Sequence, residues 1–115
     1  MATTYKVLGQ AVPAATTAAG AASSLTTLYA PSSVSAVVST ITICNQTTTA
    51  QTYRVSVRVA GASDTPKQYV AYDISLPATA TDTLTLGMTL ATTDVVSIAA
   101  SSTSVAFQAF GSEIA

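Results

Sequence analysis

The stretch Thr52-Tyr53-Arg54-Val55-Ser56-Val57-Arg58-Val59 alternates between polar and apolar side chains without a break. A period of two belongs to a β-strand, whose successive side chains point to opposite faces. Tyr53, Val55, Val57 and Val59 are therefore expected to face a core, with Thr52, Arg54, Ser56 and Arg58 on the outer face. At roughly 3.3 Å of rise per residue, the Cα atoms of Arg54 and Arg58 stand about 13 Å apart on that outer face.

The same period recurs outward along the chain. Leu84, Leu86, Met88 and Leu90 share one face, opposed by Thr83, Thr85 and Thr89. Val96 and Ile98, then Val105, Phe107 and Ala109, mark two more strands joined by a polar turn across residues 100–103. Gln68 to Leu76 reads as a strand with Val70, Tyr72, Ile74 and Leu76 inward. Ser35 to Cys44 is β-branched on both parities, with Val37, Ile41 and Ile43 on one and Val38, Thr40 and Cys44 on the other. That pattern predicts a central strand covered on both sides or met by a partner chain. Shorter strands are expected at Thr3–Leu8 and Leu25–Tyr29.

Proline, glycine, asparagine and aspartate mark the turns, at Pro31, Asn45–Ala50, Gly61–Pro66, Pro77–Asp82 and Ala91–Asp94. The Asn45-Gln46-Thr47 sequon reads as a turn after a strand rather than a glycan acceptor. About eight short strands punctuated in this way indicate an all-β chain, a single antiparallel β-sandwich or jelly-roll-like barrel. Residues 1–22 read as an N-terminal strand followed by an Ala/Thr-rich arm, the parts expected to reach a neighbour, and residues 23–115 as the sandwich itself.

Composition narrows the chemistry. The 115 residues include no histidine, one cysteine and 8% charged side chains, with a formal net charge of −1. Alanine, threonine and serine, at 22, 21 and 14 residues, make up about half of the chain, where soluble domains average about 25% charged residues. Without histidine there is no imidazole base and no histidine-ligated metal. Cys44 alone can neither close an intrachain disulfide nor build a cysteine cage, and it reads as a small buried hydrophobe. The acids Asp64, Asp82 and Asp94 fall in expected turns, where carboxylates bind backbone N–H groups. No catalytic, metal or cofactor site is expected, and four scattered basic residues are too few to neutralise nucleic acid phosphates. No run approaches the roughly 20 apolar residues of a membrane helix. The Ala14–Ala22 run is too weakly apolar for a signal-peptide core, so assembly in a cytoplasm is expected.

The charge deficit carries the main functional hint. A threonine, serine and alanine surface hydrates adequately but repels other copies poorly, which suits a subunit packed beside neighbours. Tyr53 and Tyr72 are expected in the core, leaving Tyr5, Tyr29 and Tyr69, with Lys6, Arg54, Arg58 and Lys67, as the candidate interface residues.

Three stretches stand out: Met1-Ala2-Thr3-Thr4-Tyr5-Lys6-Val7-Leu8-Gly9-Gln10, Ala36-Val37-Val38-Ser39-Thr40-Ile41-Thr42-Ile43-Cys44-Asn45 and Phe107-Gln108-Ala109-Phe110-Gly111-Ser112-Glu113. They resemble the small virion structural proteins of tailed bacteriophages, of the type found in phages of cyanobacteria and other aquatic bacteria. The resemblance implies a non-enzymatic component of the virion and brings no active-site residues with it. The resulting expectation is a capsid decoration (cement) protein, bound as a homo-oligomer to the major capsid protein or another virion protein. The alternative is a tail, neck or fibre module that touches host glycans.

Overall fold

The computed structural model describes residues 2–115. Its strands are β1 (Thr3–Ala11), β2 (Thr26–Tyr29), β3 (Ser35–Asn45), β4 (Gln51–Arg58), β5 (Tyr69–Leu76), β6 (Thr81–Leu90), β7 (Val95–Ala100) and β8 (Val105–Ile114). Two 3-10 turns, Val59–Gly61 and Pro66–Gln68, lie between β4 and β5. The strands form two four-stranded sheets in the orders β1-β8-β3-β6 and β2-β7-β4-β5. Strand β1 pairs with β8, β2 with β7, β3 with β6 and β4 with β5, all antiparallel. Those are the rungs of one long hairpin, rolled so that they fall alternately into two layers. The β3–β8 and β4–β7 pairings then close each layer. This is the jelly-roll form of the β-sandwich. The polar turn after β7 carries the chain from the second sheet to the first.

The core lies between the layers. Val38, Ile41, Ile43 and Phe107 from the first sheet meet Tyr53, Val55, Val96 and Ile98 from the second, all buried. The Phe107 and Tyr53 rings pack edge to face, with centroids 6.2 Å apart at 73°. Strand β6 follows its expected alternation, with Leu84, Leu86 and Met88 packed against the core and Thr83, Thr85 and Thr89 exposed.

Elsewhere bulges alter the facing read from periodicity. In β3 the pairing with β8 slips between Val38 and Thr40, leaving Ser39 without a ladder partner. Its hydroxyl donates instead to the Phe110 carbonyl at 3.1 Å. The core-facing set therefore changes parity, running Ala36 and Val38 before the bulge and Ile41, Ile43 and Asn45 after it. Apolar residues on both parities come from that slip, not from a strand buried on both faces.

Strand β5 slips twice against β4. The pairs Tyr53–Ile74, Val55–Ala71 and Ser56–Tyr69 leave Tyr72 and Asp73 together opposite Arg54, and Val70 unpaired. Ala71, not Val70 or Tyr72, faces the core, and Tyr72 is 51% exposed. Ile74 is also exposed, at 41%, while Leu76 is buried as expected. In β4 itself Val59 leaves the strand and is exposed, whereas Arg54 and Ser56 on the outer face are buried. Asp82 is the second residue of β6, not a turn residue, and accepts a hydrogen bond from the Tyr53 hydroxyl across the sandwich at 2.9 Å.

The N-terminal stretch is built into the sandwich. Strand β1 is an edge of the first sheet, and its Leu8 joins the core. The following segment, residues 12–25, crosses the outer face of the second sheet. There Thr17 is buried, its N–H donating to the Ala100 carbonyl at 2.7 Å and its hydroxyl accepting from the Ser24 N–H at 2.8 Å. Gly111 is required where β8 meets β3, because a Cβ there would collide with the Val37 carbonyl. Asn45 forms the expected turn: its Oδ1 accepts from the Thr47 N–H, and its buried amide donates to the carbonyls of Thr49, Leu76 and Pro77. That amide is thereby closed to glycan attachment.

Replacing Phe107 with alanine removes a buried ring from the centre of the core. It is expected to cost about 3–5 kcal/mol, read as a lowered urea midpoint with an unchanged denaturant slope.

Candidate functional site

Three places collect the side chains able to recognise something. The first is on the outer face of the second sheet, around Arg54. Its side chain emerges from the middle of β4 and is 2% exposed. The guanidinium forks onto Asp73, Nε donating to Oδ1 at 2.6 Å and Nη2 to Oδ2 at 3.2 Å. Nη1 donates to the Ser23 hydroxyl at 2.6 Å and Nη2 to the Ala21 carbonyl at 3.0 Å. The plane of the Tyr72 ring lies under the charge, with 4.2 Å from Cζ to the ring centroid.

The backbone is bent to make this possible. Asp73 has φ of 50°, in the left-handed region disfavoured for residues with a Cβ, and its Oδ2 also accepts from the Gly20 N–H at 2.8 Å. Hydrogen bonds from Arg54 hold the Asp73 carboxyl below the usual carboxylate range. Asp73 in turn raises the Arg54 guanidinium above its ordinary value. A buried cation is tolerable only when paired and hydrogen-bonded, and here its own arm and the β5 bulge satisfy it.

Beside this cluster is an open cleft of about 540 Å³. Tyr69 and Tyr72, packed edge to face at 5.0 Å, form part of its wall with Ala22, Asp64 and Pro66. The Tyr69 hydroxyl donates to Asp64 Oδ1 at 2.7 Å and shares a 2.5 Å hydrogen bond with the Ser23 hydroxyl. Burial raises the Tyr69 phenol above its ordinary value. The cleft thus offers aromatic surface and a carboxylate, while the adjacent cation is already neutralised.

The second place is the end of the sandwich where β1 and β8 meet β2. Glu113 accepts from the buried Tyr29 hydroxyl at 2.6 Å and from Lys6 Nζ at 3.1 Å. The Tyr29 hydroxyl, and then Lys6, hold the Glu113 carboxyl below the usual range. Burial, reinforced by Glu113, pushes the Tyr29 phenol well above its ordinary value. These groups tie the two layers together.

The third place is the outer face of the first sheet. The registers align its outward residues in rows across all four strands: Tyr5–Ser112–Val37–Thr89, Val7–Phe110–Thr40–Thr85 and Gln10–Gln108–Thr42–Thr83. None of these residues is charged, and Tyr5 is 83% exposed. Cys44 sits half-buried at the end of this face rather than in the core.

The candidate interface residues therefore separate. Arg54 and Tyr69 meet in the first cluster, and Lys6 and Tyr29 meet at Glu113. Tyr5 stands alone on the uncharged face. Arg58 donates from Nε to the Ser97 hydroxyl at 3.1 Å and from Nη1 to the Ala62 carbonyl at 3.3 Å. Lys67 is exposed on the second 3-10 turn. Arg54 and Tyr29, enclosed by their own chain, bind internal partners. Sequence reasoning missed Tyr72, Asp73 and Ser23 because the β5 bulge and the crossing arm bring them together. Among the described residues no group of three or more Asp, Glu or Cys side chains assembles to hold a metal ion. Comparison with protein-family models, curated proteins and solved structures returns no significant match to this chain.

Two outcomes test the Arg54 cluster. Asp73→Ala strands a buried cation and is expected to cost about 3–5 kcal/mol, much of it recovered in the Arg54→Met/Asp73→Leu double variant. The depressed Asp73 carboxyl contributes stability above the ordinary carboxylate range, lost as pH falls through its lowered value in the folded chain. The raised phenols of Tyr29 and Tyr53 contribute stability that declines as pH climbs past 10.0, where an unfolded tyrosine begins to ionise. With no histidine to titrate, thermal melts should show a plateau across neutrality with losses on both flanks.

Proposed function

We propose that this chain is a non-enzymatic structural subunit of a tailed-phage particle, a decoration protein that packs onto the capsid surface. The observation that carries this reading is the uncharged outer face of the first sheet, four strands wide. Such a face has no ionised group to strip of water and no charge to repel a neighbour. Its threonine and glutamine groups supply hydrogen bonds, and Tyr5, Val7 and Phe110 supply apolar contact. The jelly roll adds only an association, since this architecture recurs in viral shells and in lectins and a fold does not determine a function. The resemblance of the opening, the β3 stretch and the ending to phage virion proteins narrows the partner to a capsid or other virion protein.

Quantitative mass spectrometry of purified particles tests the reading. A copy number in simple proportion to the major capsid protein is expected, and absence from the particle would overturn it. Thr42→Lys, which places a charge in the middle of the face, is expected to leave the circular dichroism spectrum unchanged while the protein no longer binds particles.

The cleft beside Tyr72 favours a second reading, a tail or fibre module that binds host glycans. Aromatic surface next to a carboxylate suits the apolar face and hydroxyls of a neutral sugar. With no tryptophan in the chain, tyrosine fluorescence reports binding directly. Quenching by neutral oligosaccharides that disappears in Tyr72→Ala, together with a few copies per particle, would select this reading over the first.

A further inference from the structure

The two sheets end in four edge strands, and they differ in how well they are guarded. Strand β2 has four residues and a register break, β5 has two breaks and Asp73 in the left-handed region, and β1 carries Lys6 and a break. Strand β6 is the longest of the four, ten residues with no proline, no lysine or arginine and one charge, Asp82, near its start, and its pairing with β3 has a single register shift, opposite Leu86 and Gly87. Its ladder runs to β3 alone. Unpaired N–H and C=O groups therefore line its outer side, an arrangement that proteins usually block with charge, proline or a bulge. On the core-facing side Leu84, Leu86 and Met88 are only partly buried, so an apolar lip runs along the same edge.

We infer that β6 pairs with β6 of a second copy of this chain, antiparallel about a two-fold axis, joining two first sheets into one eight-stranded sheet. This deepens the structural-subunit reading, although it rests on β6 itself. The argument for a second copy is self-complementarity. An axis normal to the sheet keeps each face on its own side, so directly opposed residues must share a face. Centring the axis on Leu86 places Leu84 against Met88 of the copy and Leu86 against Leu86 of the copy on the core side. On the outer side Thr83 then opposes Thr89 of the copy, and Thr85 opposes Gly87 of the copy. Asp82 faces Leu90 of the copy, and the two Asp82 carboxylates lie about 27 Å apart along the strands, well beyond the ~8–10 Å over which exposed charges interact. The pairing thus satisfies the free backbone groups, covers the apolar lip and opposes no like charges.

Sedimentation velocity on the purified chain is expected to show a monomer–dimer equilibrium. Leu86→Lys sets an inward-pointing charge at the axis and should weaken the dimer by about 100-fold or more. Hydrogen exchange on the unmodified protein gives a readout that needs no variant, because alternate β6 amides should gain protection as concentration rises. Thr42→Lys, on the outer face but off this edge, should leave the dimer intact, which separates this inference from the particle-binding reading. A chain that stays monomeric at its highest soluble concentration would overturn the inference. So would a dimer untouched by Leu86→Lys, or β6 protection that appears only when capsids are added.

Discussion

A single buried positive charge organises one side of this molecule. Arg54 occupies the centre of the second sheet's outer face, where an unpaired guanidinium would be untenable. Asp73 reaches it only because β5 accommodates an extra residue and adopts φ of 50° there. Ser23 and Ala21 reach it only because the arm lies flat across the sheet. The bulge, the covered face and the path of residues 12–25 are thus three consequences of satisfying one cation. Tyr72, displaced from the core by the same bulge, becomes both the ring under the guanidinium and a wall of the neighbouring cleft.

The two outer faces consequently have opposite characters. The second sheet carries Arg54 and Arg58 and is covered by the arm, so both guanidinium groups are spent on the chain's own contacts. The first sheet presents uncharged rows of threonine, glutamine and a few apolar side chains, and the charges nearest to it, Lys6, Asp82 and Glu113, are engaged by Glu113, Tyr53 and Tyr29. A chain with 8% charged residues has few charges to distribute. Here they hold the fold together and leave one broad surface free of them.

The strands were legible because period-two alternation survives in β4 and β6, where a continuous core face is required. The reading failed in β3 and β5. In β3 a single unpaired serine moves the core-facing set from Ala36 and Val38 to Ile41 and Ile43. In β5 two slips put Ala71 inward where Val70 and Tyr72 had the better pattern. A bulge is a property of two strands in register, and its extra residue looks like any other in a single sequence. The Arg54 cluster was half legible: Arg54 and Tyr69 drew attention by type, but Asp73 and Ser23 become their partners only through the β5 slip and the crossing arm.

Composition and alternation alone indicated an all-β chain of about eight antiparallel strands, a sandwich or a jelly-roll-like barrel, and a chain without an imidazole. Both conclusions depend on residue identity and nearest-neighbour order, which a sequence contains in full. The tertiary structure decided which outer face is covered, where Arg54 finds its counter-charge, that the uncharged residues align in rows across four strands, and that β6 lies at an edge of the first sheet. These depend on the order of strands in each sheet and on their register. Both arise from long-range backbone pairing between segments as distant as β1 and β8, for which local sequence supplies no signal.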